Sequence, residues 1–196
     1  MQVPLIDAVI ANDYDRVRDM IAVGVDLEYR DENGRTPLLI AVTANNIDIA
    51  RVLIEAGADV NAQDNIKDSP YLLAGARGYN EILRLTLDSG ADLSSTNRYG
   101  GTALIPACER GHVETVQLLL DAGVDVNHVN DLGWTGLLEA IVLSDGGDAH
   151  VQIVKLLLDA GADIDLADND GTTPLQHAKN HGFKRIASLL DSARTN

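Results

Sequence analysis

The chain repeats itself every 33 residues, and that periodicity constrains its fold more than any other feature. Asp31, Asp64, Asn97 and Asn130 hold the same place in successive units, at spacings of 64−31, 97−64 and 130−97, each 33. The unit is clearest from Asn97 to Val129. It opens on the turn sequence Asn97-Arg98-Tyr99-Gly100-Gly101-Thr102, passes through two short apolar-periodic segments, and closes on Gly123-Val124-Asp125-Val126-Asn127. A unit this small cannot bury its apolar face alone, so neighbouring copies must stack and share a core. The period therefore predicts a single all-α domain over residues 1–196, cut into repeats at about 1–30, 31–63, 64–96, 97–129, 130–167 and 168–196.

Composition says how such a stack is filled. Hydrophobic residues make up 45% of the chain but aromatics only 4%, so the core must be built from Leu, Ile, Val and Ala. Those side chains let short helices approach closely. The formal charge is −15, from 30 acidic and 15 basic residues. Nucleic-acid binding draws its affinity from clustered Lys and Arg, and no basic stripe is present, so that class is excluded. An acidic balance implies a solvated, self-repelling surface with some bias toward basic partners. Cys108 is the only cysteine, which rules out an intramolecular disulfide and fits a reducing compartment. The start, Met1-Gln2-Val3-Pro4-Leu5-Ile6-Asp7, lacks the basic lead and long apolar run of a secretion signal. No stretch approaches the roughly 18 apolar residues of a membrane span. A cytoplasmic protein without membrane contact is expected.

Local signals place the elements. Asp31-Glu32-Asn33-Gly34 reads as a turn, with Gly34 suited to positive φ. Thr36 can cap a helix whose first position is Pro37. Leu38, Ala41 and Val42 line one face of that helix, Asn45-Asn46 interrupts, and Ile49, Val52, Leu53 and Ala56 line the next, which Gly57 ends. At the N-terminus Pro4 can start a helix, and Asp7, Asp13, Asp15, Arg16, Arg18 and Asp19 supply the polar outer face a terminal repeat needs. Lys179, Asn180, Lys184, Arg185, Asp191 and Arg194 do the same at the other end.

Gly34-x-Thr36-Pro37-Leu38-x-x-Ala41, Gly57-Ala58-Asp59-Val60-Asn61, Gly111-His112-Val113-Glu114, Gly161-Ala162-Asp163 and Gly171-x-Thr173-Pro174-Leu175 together resemble the ankyrin repeat family, over essentially the whole chain. The resemblance implies an ankyrin-repeat solenoid of about six helix-turn-helix repeats, with projecting β-hairpin-like turns. It also implies a non-catalytic module that binds a protein partner through its turn tips and concave face.

The departures from the family pattern carry their own expectations. The family places a His after Thr-Pro-Leu to tie the turn together; here that column holds Leu39, Leu72, Ile105, Leu138 and Gln176, so the tie is expected to be missing. Lys67 replaces a turn glycine, which predicts a strained or altered turn. Thr86 interrupts an apolar row, and Pro106 falls about one turn into its helix, where it is tolerable. Residues 130–167 span 38 positions, five more than 33, and the surplus lies at Ser144–Asp148.

Few residues suggest chemistry. Cys108 sits in an inner helix column and reads as a small buried hydrophobe. His177 and His181 are at i, i+4, the spacing of two metal ligands, but without further ligands they read as exposed polar residues. Asp145-Gly146-Gly147-Asp148 lacks the oxygen count and spacing of a calcium loop. No catalytic, cofactor or metal site is assigned, and no enzyme is expected. The turn tips are more informative. Ile66, Tyr99, Leu132 and Trp134 are large apolar residues at positions where solvation favours polar ones, and Trp, Tyr and Arg are the types enriched at binding hot spots. The expected protein-binding set is Ile66, Tyr99, Leu132 and Trp134 as anchors, with Arg98, Glu109 and Arg110 as a polar rim, on a monomer. The alternatives are a homo-oligomeric scaffold that uses the tips on itself, or a metal-dependent hydrolase at the 145–148 loop or the His177/His181 pair.

Overall fold

The structure, a computed structural model, describes residues 4–194. The signal-sequence reading at Met1–Val3 lies outside the described residues. Twelve helices and no strand are found among the described residues, the helices falling in six consecutive pairs. They are α1 (Pro4–Ile10) and α2 (Tyr14–Ala22), α3 (Pro37–Thr43) and α4 (Ile47–Glu55), α5 (Pro70–Arg77) and α6 (Asn80–Asp88). There follow α7 (Leu104–Glu109) and α8 (Val113–Ala122), α9 (Gly136–Val142) and α10 (Asp148–Asp159), α11 (Pro174–Asn180) and α12 (Lys184–Ala193). The chain divides into two compact units. The first runs up to Ala74 and takes in Tyr79–Asp92; the second comprises Gly75–Gly78 and the chain from Leu93 onward.

In the first unit the helix starts follow from side-chain caps. The Thr36 hydroxyl accepts from Leu39 N at 3.2 Å and Ser69 Oγ accepts from Leu72 N at 3.2 Å, each meeting one of the N–H groups a helix leaves unpaired. Leu38, Leu39, Ala41 and Val42 of α3 are buried together with Ile49, Ala50 and Leu53 of α4. Each large aliphatic side chain so removed from water contributes about 1.5–3 kcal/mol. Asn12 and Asn45 link the helices of their pairs at φ of 54° and 50°, a left-handed geometry that Asn tolerates better than other non-glycine residues. Thr86 is fully buried, and its hydroxyl donates to the Leu83 carbonyl at 2.8 Å, so the apolar row accepts it without an unpaired polar atom.

In the second unit Gly136 stands where Pro37 and Pro174 begin their helices. A Cβ there would lie 3.2 Å from Cys108 Sγ, so the sulfur takes up that space. Cys108 is fully buried and burial pushes its thiol up, in line with an inert core residue. The surplus residues become ordered structure. Ser144 Oγ donates to Ile141 O at 3.3 Å and accepts from Gly146 N at 3.1 Å, while Asp145 Oδ1 accepts from Gly147 N at 2.8 Å. Helix α10 then starts early, at Asp148, and runs for 12 residues. Gly146 is at φ 65°, and the Phe183 ring lies where its Cβ would be, at 2.4 Å. Arg185 pairs with Asp148, which pins the same loop to α12.

Candidate interaction surface

Five turns precede the first helices of their pairs, and all five use one hydrogen-bond scheme. An Asp or Asn opens the turn; its side-chain oxygen accepts from the backbone N–H two and four residues on. In the second unit Asn97 holds Tyr99 N at 2.8 Å and Gly101 N at 3.2 Å. Asn130 holds Leu132 N and Trp134 N, both at 3.0 Å, and Asp168 holds Asp170 N at 3.0 Å and Thr172 N at 2.8 Å. The backbone adds a matched pair of bonds, such as Asn130 N to Trp134 O at 3.0 Å and Gly133 N to Asn130 O at 2.9 Å. These pairs are the hairpin-like feature the sequence predicts, made without a strand.

The residue two after each opening Asx stands at the tip. In the first unit the tips are Asn33 and Ile66, and Ile66 is 51% exposed. Lys67 keeps the scheme of its turn but does so at φ 63°, so the turn is strained rather than altered. In the second unit Tyr99 is 52% and Leu132 54% exposed, an apolar load at positions open to solvent. Their backbones are fixed by the next turn: Asp131 N donates to Tyr99 O at 2.9 Å, and Asn169 Nδ2 to Leu132 O at 3.0 Å. Gly100 is held at φ 71°, a left-handed conformation that favours glycine, and a Cβ there would displace the Asp131 carboxylate. The Arg98 guanidinium lies over the Tyr99 ring, 4.8 Å from its centroid, a cation–π contact that braces the ring.

The expected anchors and rim therefore separate. Arg98, Tyr99, Leu132 and Trp134 share the adjoining turns of the second unit, while Ile66 lies in the first. Trp134 is half-buried, unlike the exposed Tyr99 and Leu132. Glu109 and Arg110 are at the far end of α7, six residues or about 9 Å of helix from the turn. Arg110 is spent on the Ala76 carbonyl, and the Glu109 carbonyl meets His150 Nε2 at 3.0 Å.

Two features escaped the sequence reading. Leu143 is 50% and Val129 46% exposed in the second unit. Leu143 was detectable, because its column holds Arg110 and Arg77 one and two repeats earlier. The other is Glu139, buried on α9 in a column that holds Ile40, Leu73 and Pro106. Burial raises its carboxyl to about 7, repulsion from Glu109 adds to this, and a hydrogen bond from Asn130 and the charge of Arg110 pull the other way. That hydrogen bond, Asn130 Nδ2 to Glu139 Oε1 at 2.9 Å, ties turn to helix.

A second tie corrects the reading of His177 as an exposed polar residue. It is half-buried, and its Nε2 meets Asp168 Oδ2 at 2.7 Å. Hydrogen bonds from Thr172 N, then His177, then Asp170 N hold the Asp168 carboxyl below its ordinary range. The tie between turn and helix is thus not missing everywhere. In two repeats it is made one column beyond the family's His. His181 remains exposed. Among the described residues no group of three or more His, Cys, Asp or Glu is placed to hold a metal ion, and no helix is long and apolar enough to cross a membrane.

Comparisons with known proteins agree with this geometry. The family model for three ankyrin repeat copies matches residues 71–168, and the single ankyrin repeat model matches residues 33–65. No curated protein matches the chain. Among solved structures, an ankyrin repeat domain from Acinetobacter baumannii is 59% identical with a TM-score of 0.96, over 98% of each chain. An ankyrin repeat protein from Enterococcus is 43% identical with a TM-score of 0.94, over 97% of this chain and 98% of that one. The ankyrin repeat domain of Bcl-3, a member of the IkappaB family, is 30% identical with a TM-score of 0.86, over 97% of this chain and 85% of that one. The hydrogen-bonded turns, the paired helices and these matches together establish that the chain belongs to the ankyrin repeat family.

Proposed function

We propose that this protein is a non-catalytic binding module that holds a protein partner against the turn tips of its second unit. Ankyrin repeats in general are protein–protein interaction modules. The observation that carries the finer reading is the exposure of Tyr99 and Leu132 on turns already fixed by backbone and Asx hydrogen bonds. A large apolar side chain on a rigid turn loses little conformational freedom on binding, and that lowers the cost of association. Tyr99 and Leu132 are the anchors, Arg98 supports the Tyr99 ring, and the half-buried Trp134 belongs to the same turn as Leu132. Ile66 is a separate apolar tip on the first unit. The same tips used on a second copy would give a homo-oligomer, which sedimentation detects.

The test pairs affinity with stability. A partner captured from cells that make the protein is titrated against Tyr99→Ala and Leu132→Ala. Each should weaken binding by roughly 2 kcal/mol or more, the hot-spot range. Folding stability should shift by less than about 0.5 kcal/mol, as for ordinary surface changes. Unchanged affinity in both variants would remove the tips from the interface.

A further inference from the structure

Two turns of the second unit are tied to the helix that follows them, nine residues on, by pairs of opposite polarity. At α9 the turn residue donates: Asn130 Nδ2 to Glu139 Oε1, 2.9 Å. At α11 the helix residue donates: His177 Nε2 to Asp168 Oδ2, 2.7 Å, where the acceptor-only carboxylate requires the proton on Nε2. In both pairs Oδ1 of the turn residue receives two backbone N–H groups of the turn. The turn opened by Asn97 has Pro106 at the matching helix position and cannot be tied this way.

An Asn side chain can shape a turn only while its oxygen, not its amide nitrogen, faces the backbone donors. Glu139 favours that choice, because its Oε1 accepts from the Asn130 amide nitrogen and so holds the amide oxygen toward the turn. We propose that Glu139 and His177 are positioning residues that latch the turn-shaping side chains of Asn130 and Asp168, so that the tips bearing Leu132 and Asp170 are set before a partner arrives. The functional meaning of the latch rests on the binding reading above; its existence does not.

The surroundings suit a latch rather than a ligand site. Glu139 is 6% exposed and faces Glu109, Arg110 and the Cys108 thiol of α7. His150 of α10 is engaged with Asp145 and with the Glu109 carbonyl, and His177 of α11 with Asp168. The Asn130–Glu139 pair is buried and the Asp168–His177 pair half-buried. The opposite polarities make the two pairs exchangeable as pairs and incompatible as halves. Aspartate at position 130 alone would set two carboxylates against each other.

Amide hydrogen exchange in the free protein tests this, with the turn at Asn97 as the unlatched internal standard. Glu139→Met should reduce protection of the Leu132 and Trp134 amides roughly tenfold relative to those of Tyr99 and Gly101, the scale of one hydrogen bond. Glu139→Gln, which keeps an acceptor, should preserve the ratio. Asn130→Asp alone should lower it, and Asn130→Asp with Glu139→His, the Asp168–His177 pair transplanted, should restore it. A general loss of fold lowers all four amides together and leaves the ratio alone. An unchanged ratio in Glu139→Met, or a double variant no better than Asn130→Asp, overturns the latch. No partner enters the experiment, so its failure leaves the binding edge standing, and a failed Tyr99→Ala leaves the latch standing.

Discussion

The Thr102 hydroxyl has no partner among the described residues because Pro106, four positions on, has no N–H to give to the Thr102 carbonyl. In other repeats the residue four after the cap makes that bond: Ile40 to Thr36, Glu139 to Thr135 and His177 to Thr173, each at 3.0 Å. The cap hydroxyl is then free to accept from the residue before it, as Thr135 Oγ1 does from Leu138 N at 3.2 Å. At α7 the N–H of Ile105 turns instead to the Thr102 carbonyl, at 3.3 Å, and the hydroxyl is left out. The helix starts one residue late and is the shortest of the described helices, at six residues.

This makes a differential prediction about caps. Thr135→Ala removes a working cap and should cost about 1 kcal/mol. Thr102→Ala removes an idle hydroxyl and should cost nothing measurable or stabilise slightly. Pro106→Ala restores a backbone donor and a cap, offset by about 0.4–1 kcal/mol of unfolded-state entropy, for a net gain of about 1 kcal/mol. Denaturant midpoints of the three variants check the order. Equal losses at Thr102 and Thr135 would contradict the account of α7.

Lys67 supplies the second prediction. Holding a side-chain-bearing residue at φ 63° costs about 1–2 kcal/mol. Glycine removes that cost but adds freedom to the unfolded chain, about 0.4–1 kcal/mol. Lys67→Gly should therefore stabilise by roughly 0.5–1 kcal/mol. In the unmodified protein, hydrogen exchange should open residues 64–96 before residues 31–63. Equal protection of the two segments and a neutral Lys67→Gly would show that the strain is absorbed elsewhere.

Glu139 sets a pH dependence whose sign is fixed by its raised carboxyl. The unfolded chain releases this proton near 4.5, whereas the folded protein keeps it to about 7. Between those values the folded state binds more protons, so stability falls as pH rises and levels off above about 7. Glu139→Gln cannot titrate and lacks this slope. Between about pH 5 and about pH 8 the wild type should lose on the order of 2 kcal/mol relative to the variant. Parallel stability curves would mean that Glu139 titrates as an ordinary surface carboxyl.

Much of this was legible in the sequence, and the reasons are particular. The 33-residue period located the turns, and the Asp or Asn at each opening proved to be the residue whose side chain shapes the turn. Thr36 and Pro37 marked a helix start because caps are local chemistry. The exposure of Ile66, Tyr99 and Leu132 followed from the register of the turn. Trp134 stands two residues further on, four after Asn130, in a column where Arg35, Asp68 and Thr172 are half-buried as it is, so the register of the tips did not apply to it. Glu139 and His177 were not legible as ties: the family places its polar residue one column earlier, and a carboxylate in an apolar column gives no hint that its partner lies nine residues back. The Ser144–Asp148 surplus gave its length but not its fate, which is set by Phe183 and Arg185 of the following repeat.

The binding edge is tested most directly by amide exchange of the protein with its captured partner bound. The account predicts added protection at residues 97–101 and 130–134, with blue-shifted and acrylamide-shielded emission from Trp134, the only tryptophan. Protection confined instead to the outer helices α8 and α10, with Trp134 emission unchanged, would place the partner elsewhere and contradict the account.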